Sequence, residues 1–80
     1  MTEADKVAAV DADRVRQDPA FQKAVLAIRK KALEALASVD PVKADEIRTL
    51  QARVWAIDNL CTELADTIIR GTPQRQNPVV

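Results

Sequence analysis

Ile47, Leu50, Val54, Ile57, Cys61, Leu64 and Ile68 follow one another by three and four residues in strict alternation. An apolar series with that period draws one seam along a long helix, and a seam so regular marks helices packed side by side. Phe21, Val25, Ile28, Ala32, Ala35 and Val39 repeat the alternating step, with Leu36 widening the stripe. Leu26, Leu33 and Ala37 lie about a third of a turn away and form a second apolar strip. A helix with two such strips touches two neighbours. Ala4, Val7, Ala8, Ala12 and Val15 give a third, weaker stripe of small residues near the start. The pattern predicts an all-α chain.

Two Asp-Pro pairs divide it, Asp18-Pro19 and Asp40-Pro41. An aspartate there can cap free backbone amides, and a proline in the first helical position gives up only an amide that would be unpaired. Each pair is therefore expected to end one helix and start the next. The predicted helices cover about residues 3–17, 19–38 and 41–70. Thr2, with Asp5 three residues on, is the expected cap of the first; Gly71, followed by Pro73, is the expected terminator of the third. Asp66 and Arg70 are spaced as an i,i+4 ion pair. The short link around Val39-Asp40-Pro41 makes the second and third helices an antiparallel hairpin. At 1.5 Å per residue the third would be roughly 45 Å long against roughly 30 Å for the second. The second cannot cover the whole seam, so the first helix or another subunit must cover the rest, and a bundle completed by oligomerisation is expected. Residues 1–71 form one helical domain in this reading, and 72–80 an extended, mobile tail.

Composition narrows the picture. Eighty residues allow one small domain with a limited core. Cys61 is the only cysteine, which rules out a disulfide within one chain, and without histidine a metal centre is disfavoured. Aromatic side chains are Phe21 and Trp55 alone, so the core must be aliphatic and thin. The formal charge is zero, giving no global attraction to nucleic acid or anionic membranes. No apolar run approaches the ~20 residues of a membrane span. The opening Met1-Thr2-Glu3-Ala4-Asp5 is acidic, unlike a secretion or transit leader, so a cytoplasmic location is expected.

Candidate chemistry is sparse. Cys61 falls on the seam with no histidine to activate it, so it reads as a small buried hydrophobe rather than a nucleophile. Lys23, Arg29, Lys30 and Lys31 are the candidate nucleic-acid contacts, with Arg75 beyond them. Three consecutive helical residues point about 100° apart, however, and Glu34 lies close to the face that Lys23 and Lys30 share. The second helix is net positive between net negative flanks, a pattern that favours charge pairing within or between subunits over DNA. Trp55 lies off the seam near Gln51, Asp58 and Thr62. Either it anchors an interface with another chain, or the first helix folds over it with Val7 or Val10 against the ring. Asp45, Glu46, Asp58, Glu63 and Asp66 scatter around the third helix and face no second constellation, as on a solvated surface. Val79-Val80 could be captured by a partner that reads chain ends. No catalytic, cofactor-binding or metal-ligating residue is expected, and no small molecule.

Asp18-Pro19-x-Phe21-Gln22-x-Ala24 opens the hairpin, and Leu33, Leu36 and the Asp40 pivot follow. Ile47-Arg48-x-Leu50-Gln51-Ala52 and Ile57-Asp58-x-Leu60 carry the return helix, which closes with Leu64, Ile68 and Gly71. Over about Ala12 to Gly71 this resembles the short two-helix proteins of tailed phages and prophages. The resemblance implies a phage-encoded accessory or virion-assembly component, in the host cytoplasm or the virion, and assigns no residue a role. The expected function is a non-enzymatic helical interaction or assembly protein. Its expected partner is itself, as a homodimer, and/or another protein, with Leu26, Leu33 and Trp55 at the interface. The alternative is a nucleic-acid accessory factor in packaging or transcription, using the basic residues of the second helix.

Overall fold

A computed structural model of the chain describes residues 2–72. All the regular structure among them is helical: α1 (Glu3–Gln17), α2 (Pro19–Ser38) and α3 (Ala44–Gly71). Arg75, Val79-Val80 and most of the expected tail lie outside the described residues.

The starts of α1 and α2 follow the sequence. Thr2 Oγ1 accepts from the Asp5 amide at 3.1 Å, and Asp5 Oδ2 accepts from the Thr2 amide at 3.3 Å, a reciprocal capping box. Asp18 Oδ1 accepts from the amides of Ala20 at 2.8 Å and Phe21 at 3.1 Å, with Pro19 opening α2. Gln22 Nε2 donates to the Arg16 carbonyl at 2.7 Å, so a side chain of α2 satisfies an end carbonyl of α1 across the bend.

The second Asp-Pro pair behaves differently, and α3 begins at Ala44 rather than Pro41. The Lys43 amide bonds the Asp40 carbonyl at 3.0 Å, and Asp40 Oδ1 accepts from the Val42 amide at 3.0 Å. Asp40 to Lys43 is thus a β-turn with aspartate first and proline second, the positions those residues favour. Lys43, in the capping position of α3, makes no side-chain cap bond. Asp45 and Glu46 in the first turn face the positive end of the helix dipole instead. The five-residue link 39–43 still returns the chain directly, so α2 and α3 form the expected hairpin.

The core is thinner than the seams predict. Among the described residues only Ala9, Ala12 and Ala32 are buried apolar side chains, at 5%, 7% and 5% exposure, and no large side chain is fully buried. Ile47, Leu50, Val54 and Ile57 of α3 are half-buried, as are Phe21, Val25, Ala35, Leu36 and Val39 of α2. Ile28, expected on the α2 seam, is exposed, and Arg29 takes the half-buried place beside it. The α2 face is rotated slightly to bring that guanidinium to α3. Cys61 is exposed, which overturns its reading as a buried hydrophobe.

α1 packs on α3 more extensively than α2 does, and it reaches the end of the long helix. Asp5 and Ala9 lie against Gly71, so closely that a Cβ on Gly71 would overlap the Asp5 carbonyl oxygen and the Ala9 Cβ. The φ of Gly71 is not positive. The glycine is there for space, not for a left-handed terminator. Close approach demands small residues, so α1 turns Ala9 and Ala12 inward while Val7, Val10 and Val15 face solvent. The stripe expected to dock is therefore mostly on the outside, with Ala12 its one buried member.

Candidate interaction surface

Among the described residues one tertiary ion pair links the hairpin arms. Arg29 Nε donates to Asp58 Oδ1 at 2.9 Å, and Arg29 Nη2 to Asp58 Oδ2 at 3.4 Å. The hydrogen bond from Arg29 holds the Asp58 carboxyl below its ordinary value, and the same bond raises the guanidinium. Both side chains remain about half exposed, so the pair sits on a flank of the hairpin rather than inside it.

That placement orients the neighbouring residues. Val25 and Ala32, at i−4 and i+3 from Arg29, face α3, and Val54, at i−4 from Asp58, faces α2. Residues at i−3 and i+4 project round the outer side of the same helices. On α2 these are Leu26 and Leu33, and on α3 Trp55 and Thr62. The helices are antiparallel and Arg29 meets Asp58 on one flank, so all four lie on that flank. Leu26 is 67% exposed, Leu33 40% and Trp55 69%. Leu26 and Leu33 line a shallow depression with Arg29, Lys30 and Glu34.

α1 does not cover this surface. It meets Ile68 and Gly71, with Lys6, Ala9, Val10 and Asp13 around them. Two residues, about 200° of helix rotation, separate Gly71 from Ile69. Ile69 is exposed accordingly, seven residues beyond Thr62 and fourteen beyond Trp55 on the open strip. Val7 and Val10, suggested as cover for Trp55, face solvent. The sequence reading named Leu26, Leu33 and Trp55 but missed the Arg29–Asp58 pair that orients them. It also missed Ile69, which the seven-residue spacing from Trp55 could have revealed.

The four candidate nucleic-acid contacts do not form one patch. Arg29 is turned to Asp58, and Lys30 lies 3.8 Å from Glu34. Lys23 and Lys31 make no ion pair among the described residues but project from different faces of α2. Arg70, expected to pair with Asp66, instead lies 3.7 Å from Glu63 and donates to Thr67 Oγ1 at 3.1 Å. Among the described residues no group of three or more acidic or cysteine side chains is placed to hold a metal ion. No helix among them is long and apolar enough to cross a membrane. The depression along Asp45, Glu46, Thr49, Leu50 and Arg53 belongs to a single helix and is a groove between its own side chains.

Comparison with known protein families, curated proteins and solved structures finds no match for this chain.

Proposed function

We propose that this chain is a non-enzymatic helical interaction and assembly protein whose docking surface is the hairpin flank carrying Leu26, Leu33 and Trp55. One observation carries the reading: Leu26, Leu33, Trp55 and Ile69 stand exposed together on one flank, Trp55 at 69%, while Val7, Val10, Val15, Ile28, Val42 and Leu60 are exposed elsewhere with no aromatic among them. A tryptophan and two leucines on one surface are the kind of anchor that dominates protein interfaces. The pattern shared with two-helix phage proteins supports an accessory or virion-assembly role within that class. Nucleic-acid binding is less well supported, because two of the four basic residues are engaged by carboxylates.

Affinity capture from the source organism tests the reading, with wild-type and Trp55→Ala chains as baits. The wild type should retain a defined protein, a further copy of itself included, that the variant releases. Equal retention by both baits, or a salt-sensitive shift of duplex DNA by the wild type, would overturn it.

A further inference from the structure

The charge pattern of the open flank points to its occupant. We propose that the flank is covered by a second copy of this chain, related by a two-fold axis parallel to the hairpin. In this arrangement α2 of each copy lies on α3 of the other, with both 39–43 turns at the same end. The inference rests on the interaction reading above and specifies its partner.

The register follows from the Arg29–Asp58 pair. In an antiparallel hairpin, each step forward on α2 is level with one step back on α3. Leu33 is therefore level with Val54, next to Trp55. Leu26 is level with Cys61, next to Thr62, and Lys23 is level with Leu64, two residues from Asp66. A two-fold axis along the hairpin preserves these levels. It sets Leu33 against the second copy's Trp55, Leu26 against its Thr62 and Lys23 beside its Asp66. Lys23 and Asp66 make no ion pair within the chain among the described residues, and each sits on the outer rim of the flank.

The alternative two-fold axis, across the hairpin, would lay α2 on α2. On its outer rim that helix carries Lys23 and Lys30 with Glu34 as the one carboxylate, so the pairing would bring lysine rims together. Laid on α3, Lys23 instead meets the carboxylate of Asp66 on the facing rim. Every helix is then also antiparallel to both its neighbours. The area suffices. A flank about 30 Å long and two helices, about 20 Å, wide offers about 600 Å² before side-chain relief, near the ~800 Å² per partner of standard interfaces.

Sedimentation equilibrium and spin-label distances test the proposal. The wild type should sediment at twice 8.8 kDa. Trp55→Ala should weaken dimerisation at least about tenfold while helicity is kept. Lys23→Glu and Asp66→Lys, both on the surface, should each weaken it about fivefold, and the double variant should recover most of the loss. Labels on Val42→Cys in a Cys61→Ser background should lie less than about 30 Å apart, whereas turns at opposite ends of α3 would be about 40 Å apart or more. A monomer at all concentrations, a dimer indifferent to Trp55→Ala, no recovery in the double variant, or the long label distance would overturn it. A monomer that still retains another protein through Trp55 sinks the second-copy inference alone; a monomer with no Trp55-dependent partner sinks the interaction reading too.

Discussion

Gly71→Ala tests the contact that holds α1. Gly71 closes α3 without a positive φ, so alanine meets no backbone strain. Helix propensity alone would make the change favourable by up to about 1 kcal/mol. The obstacle is α1, because the new Cβ would overlap the Asp5 carbonyl oxygen and the Ala9 Cβ. One of these atoms is backbone and the other is the first atom of its side chain, so neither can swing away and α1 must retreat as a unit. Its docking rests on Ala9 and Ala12, whose methyl groups contribute roughly 1.5 kcal/mol together at ~0.8 kcal/mol each. Partial cover of Ile68 adds about 1 kcal/mol at most. Losing most of this, offset by propensity, should loosen α1 by about 1–2 kcal/mol. Native-state hydrogen exchange reads the effect directly: α1 amides should exchange about tenfold faster, while amides around Ala32 and Val54 change little. Unchanged or slower exchange along α1 would refute the close approach of the two helices.

Three further outcomes are expected. Leu50→Ala should cost about 1–2 kcal/mol in urea unfolding, less than a fully buried leucine because Leu50 is half-exposed, while Lys30→Ala should stay within about 0.5 kcal/mol. A cost for Lys30 above that for Leu50 would invert the assignment of the seam. The lowered Asp58 carboxyl stabilises the hairpin above the ordinary aspartate range near pH ~3.9, and this contribution is lost as pH falls through the lower folded value. Asp58→Asn should therefore flatten part of the acid-side decline in stability, and an identical pH profile would show that the pair does not form in solution. The Cys61 thiol should react with a disulfide reagent in the folded chain nearly as fast as in denaturant; strong protection would place it under a helix.

The helices were legible because their signals are local. Thr2, Asp18 and Pro19 act on amides within three residues of themselves, and a single sequence contains all of that information. The Asp40-Pro41 pair shows where locality fails. The same dipeptide suits the first turn of a helix and the corner of a β-turn, and only the bonds made by Val42 and Lys43 separate the two. Periodicity likewise locates an apolar stripe without saying what will touch it. α1 has a valine stripe and an alanine-aspartate face, and the second docks because Gly71 leaves room for a backbone but not for a branched side chain.

Cys61 ties the fold to the proposed surface. α2 covers the seam from Ile47 to Ile57, and α1 reaches it again at Ile68 and Gly71. Cys61 is left open although its spacing is that of a core residue and Leu26 of α2 is level with it. Part of the exposed apolar set is ordered, although Val7, Val10, Val15, Ile28, Val42 and Leu60 are exposed elsewhere. Leu26 and Leu33 repeat at seven on α2, and Trp55, Thr62 and Ile69 repeat at seven on α3, all on the side of Arg29 and Asp58 that α1 leaves bare. Two matching seven-residue strips on adjacent antiparallel helices are what a further helical layer requires. Leu33 and Trp55, one residue apart in level across the hairpin, give that layer its aromatic–aliphatic anchor.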